Sequence, residues 1–312
     1  MSDPASVRRA WSRLYGLLGH LLLDGWSADG LATARALPAL AEHLPDLDDD
    51  RLAARHHAAF GTGVPPYVGV LVGSEGHMGG ERAREAADLL ERTGMQANRR
   101  DVESDHVGLL LRAAGFLLAA EVEALEDGRS EVIATLHDLQ RELLDRHLLA
   151  AWPPLIVALR GLELAEWSAV VGLAGELMVA HRHALGGAGE AGLDPVEGGL
   201  LDDPKTGLKR VARWLTVCGQ TGCWLTRKDV DELAMAADVA RGFGDRANML
   251  ESLFFAAVDH QRMDAVLDAL LDKIATWERA TAEIGEGGLP VQPWLERLDG
   301  TRAMVRRMRV EI

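Results

Sequence analysis

Apolar residues recur along most of this chain at intervals of three and four positions, which is the period of an amphipathic α-helix. The clearest stripes are Trp11, Leu14, Tyr15, Leu18, Leu21 and Leu22; Val107, Leu110, Leu111, Ala114, Leu117 and Leu118; Val132, Leu136, Leu139, Leu143 and His147; and Met263, Val266, Leu267, Leu270, Leu271, Ile274 and Trp277. Only Val68–Val72 has the β-branched character of a strand. The pattern predicts an all-α protein built as a helical bundle.

The composition changes between residues 186 and 207, where glycine and Asp-Pro pairs are concentrated. The relevant residues are Gly186, Gly187, Gly189, Gly198, Gly199, Asp194-Pro195 and Asp203-Pro204. Such a stretch is typical of a linker or long loop. We therefore expect a helical domain over residues 1–185, a linker over 186–207 and further helices over 208–312. In this last part, Thr226 and Asp229 have the spacing of a capping box at a helix start.

Charge and cysteine content narrow the possible partners. The 312-residue chain carries 48 acidic and 33 basic residues, a formal net charge of −15. That surface repels nucleic acid and anionic membranes and attracts basic peptides, although acidity also simply keeps a protein soluble. The sequence contains no run of 18 apolar residues, the length that is needed to span a membrane. Cys218 and Cys223 are too few for a disulfide framework, so we expect buried thiols and a cytoplasmic location.

The N-terminal stretch superficially resembles a twin-arginine export signal, because Arg8-Arg9 precedes an apolar run. Arg13, His20 and Asp24 interrupt that run, so no clean hydrophobic region forms. We interpret the stretch as the first packed helix of the fold.

The motifs of common enzymes are absent. Glu103-x-x-His106 has the spacing of one half of a ferritin-like di-iron site, but such sites need a second Glu-x-x-His and two further glutamates. No phosphate-binding glycine loop and no nucleophile elbow occurs. We therefore expect no catalytic residue, no metal and no cofactor. A metal-binding helical enzyme remains an alternative.

Asp105 and His106 stand at the head of an apolar helix and allow two interpretations. Ser104 or Asp105 could be the N-cap of that helix, a common use of such residues. Alternatively, Asp105 and His106 face a groove, where the carboxylate would bind an arginine of a peptide through two hydrogen bonds. His147 ends another apolar stripe, where histidine more often packs or caps than binds. We expect Trp11, Tyr15, Trp152, Trp167 and Trp277 to pack in the core.

Four segments in order resemble the TorD/DmsD/NarJ family of molybdoenzyme maturation chaperones. They are Arg13-Leu14-Tyr15-Gly16-Leu17-Leu18, a loop ending in Pro65-Pro66-Tyr67, Glu103-Ser104-Asp105-His106, and His147-Leu148-Leu149 before Trp152-Pro153. The similarity spans roughly residues 8–160, about half the chain. Trp152 falls five residues after His147, where the family usually has four. Thr221-Gly222 through Asp229, and Gly242 through Leu250, look like the C-terminal extension of longer members.

The resemblance implies a TorD-like helical chaperone with additional C-terminal helices. It also implies a peptide-binding surface that contains Glu103, Asp105, His106, Pro66, Tyr67 and His147. The implied partner is the twin-arginine leader peptide, or the apo-form, of a molybdopterin-containing oxidoreductase subunit, held until its cofactor is inserted before export. A helical adaptor with an unrelated partner is the other alternative.

Overall fold

The structure is a computed structural model that describes residues 4–95, 101–187, 189, 191–196 and 199–311. Within these ranges the chain is helical and forms no strand; one isolated antiparallel bridge joins Tyr67 and His106. The predicted all-α class is therefore confirmed. No helix in the described part of the chain is both long and apolar enough to cross a membrane.

The helices fall on either side of the glycine-rich segment. Those before it are α1 (Pro4–Asp24), α2 (Ala28–Arg35), α3 (Pro38–Ala41), α4 (Asp49–His56), α5 (Val68–Val72), α6 (Gly80–Thr93), α7 (Val107–Glu126), α8 (Ser130–Glu142), α9 (Leu149–Gly161) and α10 (Ala165–Ala184). Those after it are α11 (Leu208–Leu215), α12 (Cys218–Thr221), α13 (Arg227–Ala237), α14 (Arg246–Asp259), α15 (Met263–Gly285) and α16 (Gln292–Glu311). π-helical turns at His57–Gly63 and Leu143–Leu148 follow α4 and α8, and Leu200–Asp202 is a 3-10 turn.

The strand-like run Val68–Val72 is a short helix, α5, and all five residues are buried. The i+4 hydrogen bonds of the helix run from the Leu71 amide to the Tyr67 carbonyl and from the Gly73 amide to the Gly69 carbonyl. A short apolar run of this kind does not distinguish a buried strand from a buried helix by periodicity alone. Here the tertiary environment decides, because α5 is enclosed on every side.

Helices α1 and α7 lie so close that their backbones are in contact. A Cβ atom added at Gly19 would lie 2.6 Å from the Gly108 carbonyl oxygen, and one at Gly115 would lie 2.8 Å from the Ser12 carbonyl oxygen. The Ser12 hydroxyl donates a hydrogen bond of 2.7 Å to the Gly115 carbonyl. Glycine is therefore required at these crossing points for steric reasons.

A chain of buried polar groups joins α1, α7, α8 and α10. The Glu121 carboxylate, 1% exposed, accepts hydrogen bonds from Arg8, His137 and Gln140. Beyond Gln140, the His181 ring connects the Gln140 side chain to the Tyr15 hydroxyl over 2.8 and 3.1 Å. A buried carboxylate is tolerated only when it is paired and hydrogen-bonded in this way.

The N-terminal arginines take part in packing, as expected for a first helix of the fold. Arg8 pairs with the buried Glu121, and Arg9 pairs with the exposed Glu126, the last residue of α7. Tyr15, Trp152 and Trp167 are fully buried, and Trp277 is 6% exposed. Trp11 packs against this core while partly buried. The predicted packing roles of these aromatic residues are confirmed.

The glycine-rich segment is tied to the helices before and after it. Arg82 of α6 holds the Asp194 carboxylate with two hydrogen bonds of 2.7 and 3.2 Å, and Arg297 of α16 donates to the Asp194 carbonyl. Residues 188, 190, 197 and 198 of the expected linker lie outside the described residues. Farther along, Thr226 and Asp229 form the predicted capping box at the start of α13.

The close approach of α1 and α7 can be tested by adding one methyl group. We expect Gly19→Ala to lower the free energy of unfolding by about 1–3 kcal/mol, because its Cβ would overlap the Gly108 carbonyl. The matched control is Gly16→Ala, on the same helix, where nothing lies within 4 Å of the added carbon. The control should gain about 0.5–1 kcal/mol through helix propensity. Equal effects of the two substitutions in urea unfolding would contradict the backbone contact.

Limited proteolysis tests the three-part division. A broad-specificity protease is expected to cut first between residues 186 and 207, because the segment is rich in glycine and holds few regular hydrogen bonds. Asp194→Asn should accelerate this cleavage, because it weakens the bond to Arg82. Uniform resistance across the segment, identified by mass spectrometry of the fragments, would show that it packs as firmly as the helices.

Candidate functional site

The proline-tyrosine loop and the start of α7 are held together by backbone hydrogen bonds. The Val107 amide donates to the Pro66 carbonyl over 2.9 Å, and the Val68 amide donates to the Asp105 carbonyl over 3.0 Å. Between them, the Tyr67 and His106 rings meet edge to face with centroids 4.9 Å apart. Two segments about 40 positions apart in the sequence, and linked there only by the family pattern, are thus adjacent in space.

Asp105 is fully buried and caps α5, a helix to which it does not belong. Its Oδ2 atom accepts a hydrogen bond of 2.7 Å from the Gly69 amide, in the first turn of α5. A side chain at Gly69 would lie 3.0 Å from that oxygen and 3.1 Å from the His77 carbonyl, so only glycine fits there. Burial raises the pKa of Asp105 to about 6, and its hydrogen bonds to the amides of Gly69 and Asp105 offset part of that rise.

His106, rather than Ser104 or Asp105, is the N-cap of α7. Its Nδ1 atom accepts a hydrogen bond of 3.1 Å from the Gly108 amide, and its backbone is extended. The ring is therefore oriented from both sides, by this bond and by the edge of Tyr67. The sequence predicted Ser104 or Asp105 as this cap, but Asp105 caps α5 instead.

The outer edge of this arrangement is acidic and partly open to solvent. Tyr67 is half-buried, Glu103 is exposed and Pro66 is buried. Burial raises the pKa of the Tyr67 hydroxyl, and the carboxylates of Asp105, Glu103 and Asp101 raise it further. Three acidic groups therefore act on one aromatic side chain, and two of them, Asp101 and Glu103, are exposed. We call Tyr67, Asp101 and Glu103 the acidic rim.

A comparison with protein families places these motifs in a known context. The family model described as nitrate reductase delta subunit matches residues 28–158. This match confirms the resemblance seen in the sequence. The matched segment runs from the start of α2 into α9 and contains all six predicted site residues. Among curated proteins, no relative of the chain is found.

The nitrate reductase delta subunit family is known as a family of molybdoenzyme maturation chaperones, which suggests an oxidoreductase subunit as the type of partner. Helix α1 and the C-terminal helices α11 to α16 lie outside the matched segment. The matched segment therefore includes the contact between the Pro66-Tyr67 loop and the start of α7. It does not include the C-terminal helices that pack nearby.

His147 lies in the π-helical turn after α8 and is 1% exposed. Burial lowers its pKa to about 4, and the nearby Arg82 guanidinium lowers it further. Its Nδ1 atom is buried and has no hydrogen-bond partner among the described residues. His147 lies in the turn after α8, within the electrostatic reach of Arg82, Glu85 and Arg146. Tyr67, Asp105 and His106 thus form one cluster, and His147 belongs to the neighbourhood of Arg82.

Arg82 and Asp194 are residues of this region that the sequence did not reveal. Arg82 is 3% exposed and bonds Asp194, Glu85 and the Gly192 carbonyl. Arg146 pairs with the same Glu85 over 2.7 Å. Arg82 and Asp194 are 112 positions apart in the chain, and no local motif joins them. The only signal was the Asp194-Pro195 pair in an otherwise glycine-rich segment.

A pH titration of stability tests the burial of Asp105. A carboxyl whose pKa is higher in the folded state than in the unfolded state stabilises the protein below the unfolded pKa. That contribution is lost as the pH rises through the folded pKa. Between pH 4 and 6.5, Asp105 should therefore lower the free energy of unfolding by about 2 kcal/mol, most of the effect of a pKa rise from 3.8 to about 6.

The variant Asp105→Asn should remove this pH dependence while keeping an oxygen for the Gly69 amide. Chemical unfolding at several pH values measures it. Asp127→Asn, at the exposed C-terminal end of α7, is the control and should leave the pH dependence as in the wild type. A wild-type profile that Asp105→Asn leaves unchanged would mean that the carboxyl is not desolvated.

Metal analysis tests the remaining enzyme alternative. No group of three or more histidine, cysteine, aspartate or glutamate side chains within the described ranges could hold a metal ion. We expect the purified protein to contain no stoichiometric iron or zinc, because Glu103 and His106 supply only half of a ligand set. Near one equivalent of metal per chain, lost in Glu103→Gln, would favour the enzyme.

Proposed function

We propose that this protein is a cytoplasmic maturation chaperone that binds the twin-arginine leader peptide, the apo-form, or both, of a molybdopterin oxidoreductase subunit before export. The observation that carries the proposal is the acidic rim around Tyr67. It is an exposed cluster of carboxylates built on the segment that matches the chaperone family.

The acidic rim suits an arginine side chain. The exposed Glu103 carboxylate can accept two parallel hydrogen bonds from a guanidinium, and the Tyr67 ring offers a face for the cation. The overall charge of −15 also attracts a basic peptide from a distance. Asp105 does not contact the peptide directly in this proposal, because its carboxylate is buried against Gly69. It holds the loop that carries Tyr67 in place.

An apolar part of the leader has a contact available beside the acidic rim. Met78 is 56% exposed and lies in the loop between α5 and α6. The carbonyls of its neighbours His77 and Gly79 lie 3.1 and 3.2 Å from the position of an added Gly69 Cβ, close to Asp105. Methionine adapts to irregular apolar partners. An arginine site at the acidic rim and an apolar side chain in the loop after α5 match the two halves of a leader peptide.

The proposed action needs no catalysis. A chaperone that binds the apo-form more tightly than the mature subunit delays export by differential affinity alone. The metal-enzyme alternative is disfavoured because one nitrogen of His106 is already committed to the Gly108 amide. A helical adaptor with an unrelated partner would share the fold but would not require arginine in its ligand.

Titration of a labelled leader peptide tests the arginine contact. Glu103→Gln should weaken binding by up to about tenfold, the effect expected for losing a charged hydrogen-bonded partner. Tyr67→Ala should also weaken it, and the wild-type affinity should fall as salt rises. The control is Glu123→Gln, an exposed glutamate on α7, which follows Glu103. A peptide with both arginines replaced by glutamine is the ligand control.

Two outcomes separate the roles of the residues. Weaker binding in Glu103→Gln with normal binding in Asp105→Asn assigns the contact to the acidic rim. Weaker binding in both, with normal thermal melts, gives Asp105 an electrostatic share. Equal affinity of the wild type for the arginine and glutamine peptides would contradict the proposed function.

A further inference from the structure

A mostly apolar cavity of about 470 Å³ lies between the glycine-rich segment, α11 and α16. Its apolar lining is formed by Leu193, Val196, Leu200, Trp214, Pro293 and Met304. The volume is within the range of cavities that bind small molecules, roughly 300–1,000 Å³. The cavity is outside the segment that matches the family and does not border the acidic rim.

The cavity contains a buried cation that is not directly paired with a carboxylate in the described part of the chain. Arg297 is 7% exposed, and its guanidinium donates to the Asp194 carbonyl and approaches the Trp294 ring at 5.3 Å. The Asp194 carboxylate is instead held by Arg82. Burial lowers the pKa of Arg297; the charge of Asp194 offsets part of this effect, and the charge of Arg82 adds to it. A buried guanidinium without a directly paired carboxylate is costly, so an anion entering the cavity would be stabilised.

A second donor in the lining lacks a partner. The indole Nε1 of Trp214 is buried and has no hydrogen-bond partner among the described residues. The other polar side chains at the cavity already have partners, since Thr301 donates to the Thr221 carbonyl and Gln220 donates to the Ser74 carbonyl. Glu296 is exposed at the edge. The lining therefore offers Arg297 as the donor for a ligand within apolar walls, since the Trp214 indole nitrogen is itself buried.

We propose that this cavity binds a small molecule with an apolar chain and a single carboxylate, of the fatty-acid type. The carboxylate accepts hydrogen bonds from Arg297, and the carbon chain packs against the leucine, methionine and tryptophan side chains. A cation is disfavoured by Arg297 and Arg82. A doubly charged phosphate is disfavoured because Arg297 offers it a single positive charge within mostly apolar walls.

Calorimetric titration with octanoate and octanol tests the role of charge. The wild type should bind octanoate more tightly than octanol, and Arg297→Gln should weaken octanoate binding about tenfold or more while leaving octanol unchanged. Arg306→Gln, an exposed arginine on the same helix, is the control and should bind as the wild type. Equal affinity for octanoate and octanol, or no octanoate binding below about 1 mM, would overturn the proposal.

A substitution that fills the cavity tests its location without removing a charge. Nothing lies within 4 Å of a Cβ added at Gly300, which lines the cavity, so Gly300→Leu should fold normally and abolish octanoate binding. Gly172→Leu, on α10, is equally unobstructed but distant from the lining, and should retain binding. Octanoate binding that survives in Gly300→Leu would overturn the site.

An apolar tetrapeptide, tested as the free acid and as the amide, distinguishes a fatty acid from the C-terminus of a peptide. Tighter binding of the peptide acid than of octanoate would overturn the fatty-acid assignment in favour of a peptide C-terminus.

Discussion

The backbone contact between α1 and α7 is the constraint on which the N-terminal half of the structure depends. Gly19, Gly108 and Gly115 remove the side chains that would hold the two helices apart, and the Ser12 hydroxyl then reaches the Gly115 carbonyl. Because α7 is fixed along most of its length, its first residues have a defined position. The Arg8–Glu121 pair secures the same crossing toward the other end, within a polar chain that extends to Tyr15. A small shift of α1 would therefore break both steric and electrostatic contacts.

That fixed start of α7 explains the Asp-His pair. The two consecutive residues cap two different helices: Asp105 accepts from the first turn of α5, and His106 accepts from the first turn of α7. Each cap satisfies backbone donors that a buried helix end would otherwise leave unpaired. The pair thus joins the proline-tyrosine loop to the bundle and leaves Tyr67 and Glu103 at the surface. A structural role for the buried residues and a binding role for their exposed neighbours are compatible in one motif.

The C-terminal helices close around α5 and the preceding loop. Gly219 of α12 approaches the Val72 and Gly73 carbonyls so closely that an added Cβ would lie 2.3 Å from the Gly73 oxygen. The Trp224 and Trp294 indoles donate to the carbonyls of Gly63 and Ala150. Through these contacts the helices outside the family segment bear directly on the loop that carries Tyr67. Arg297 lies on the same helix as Trp294, so the apolar cavity is connected to this region by α16.

Periodicity in the sequence was sufficient to determine the helical class, the aromatic core and the capping box at Thr226, because each depends on residues a few positions apart. The family motifs also predicted one binding surface for the Pro66-Tyr67 loop and the Asp105-His106 segment, and these two segments are in contact. Only the tertiary structure decided that Val68–Val72 is a helix, that His106 and not Asp105 caps α7, and that His147 lies beside Arg82. These outcomes depend on partners distant in the sequence, such as Gly69 and Asp105, which are 36 positions apart, and no local pattern encodes them. The tertiary structure also gives two carboxyl groups that are close in the sequence different environments. Asp105 is buried against α5, whereas Glu103 is open to solvent.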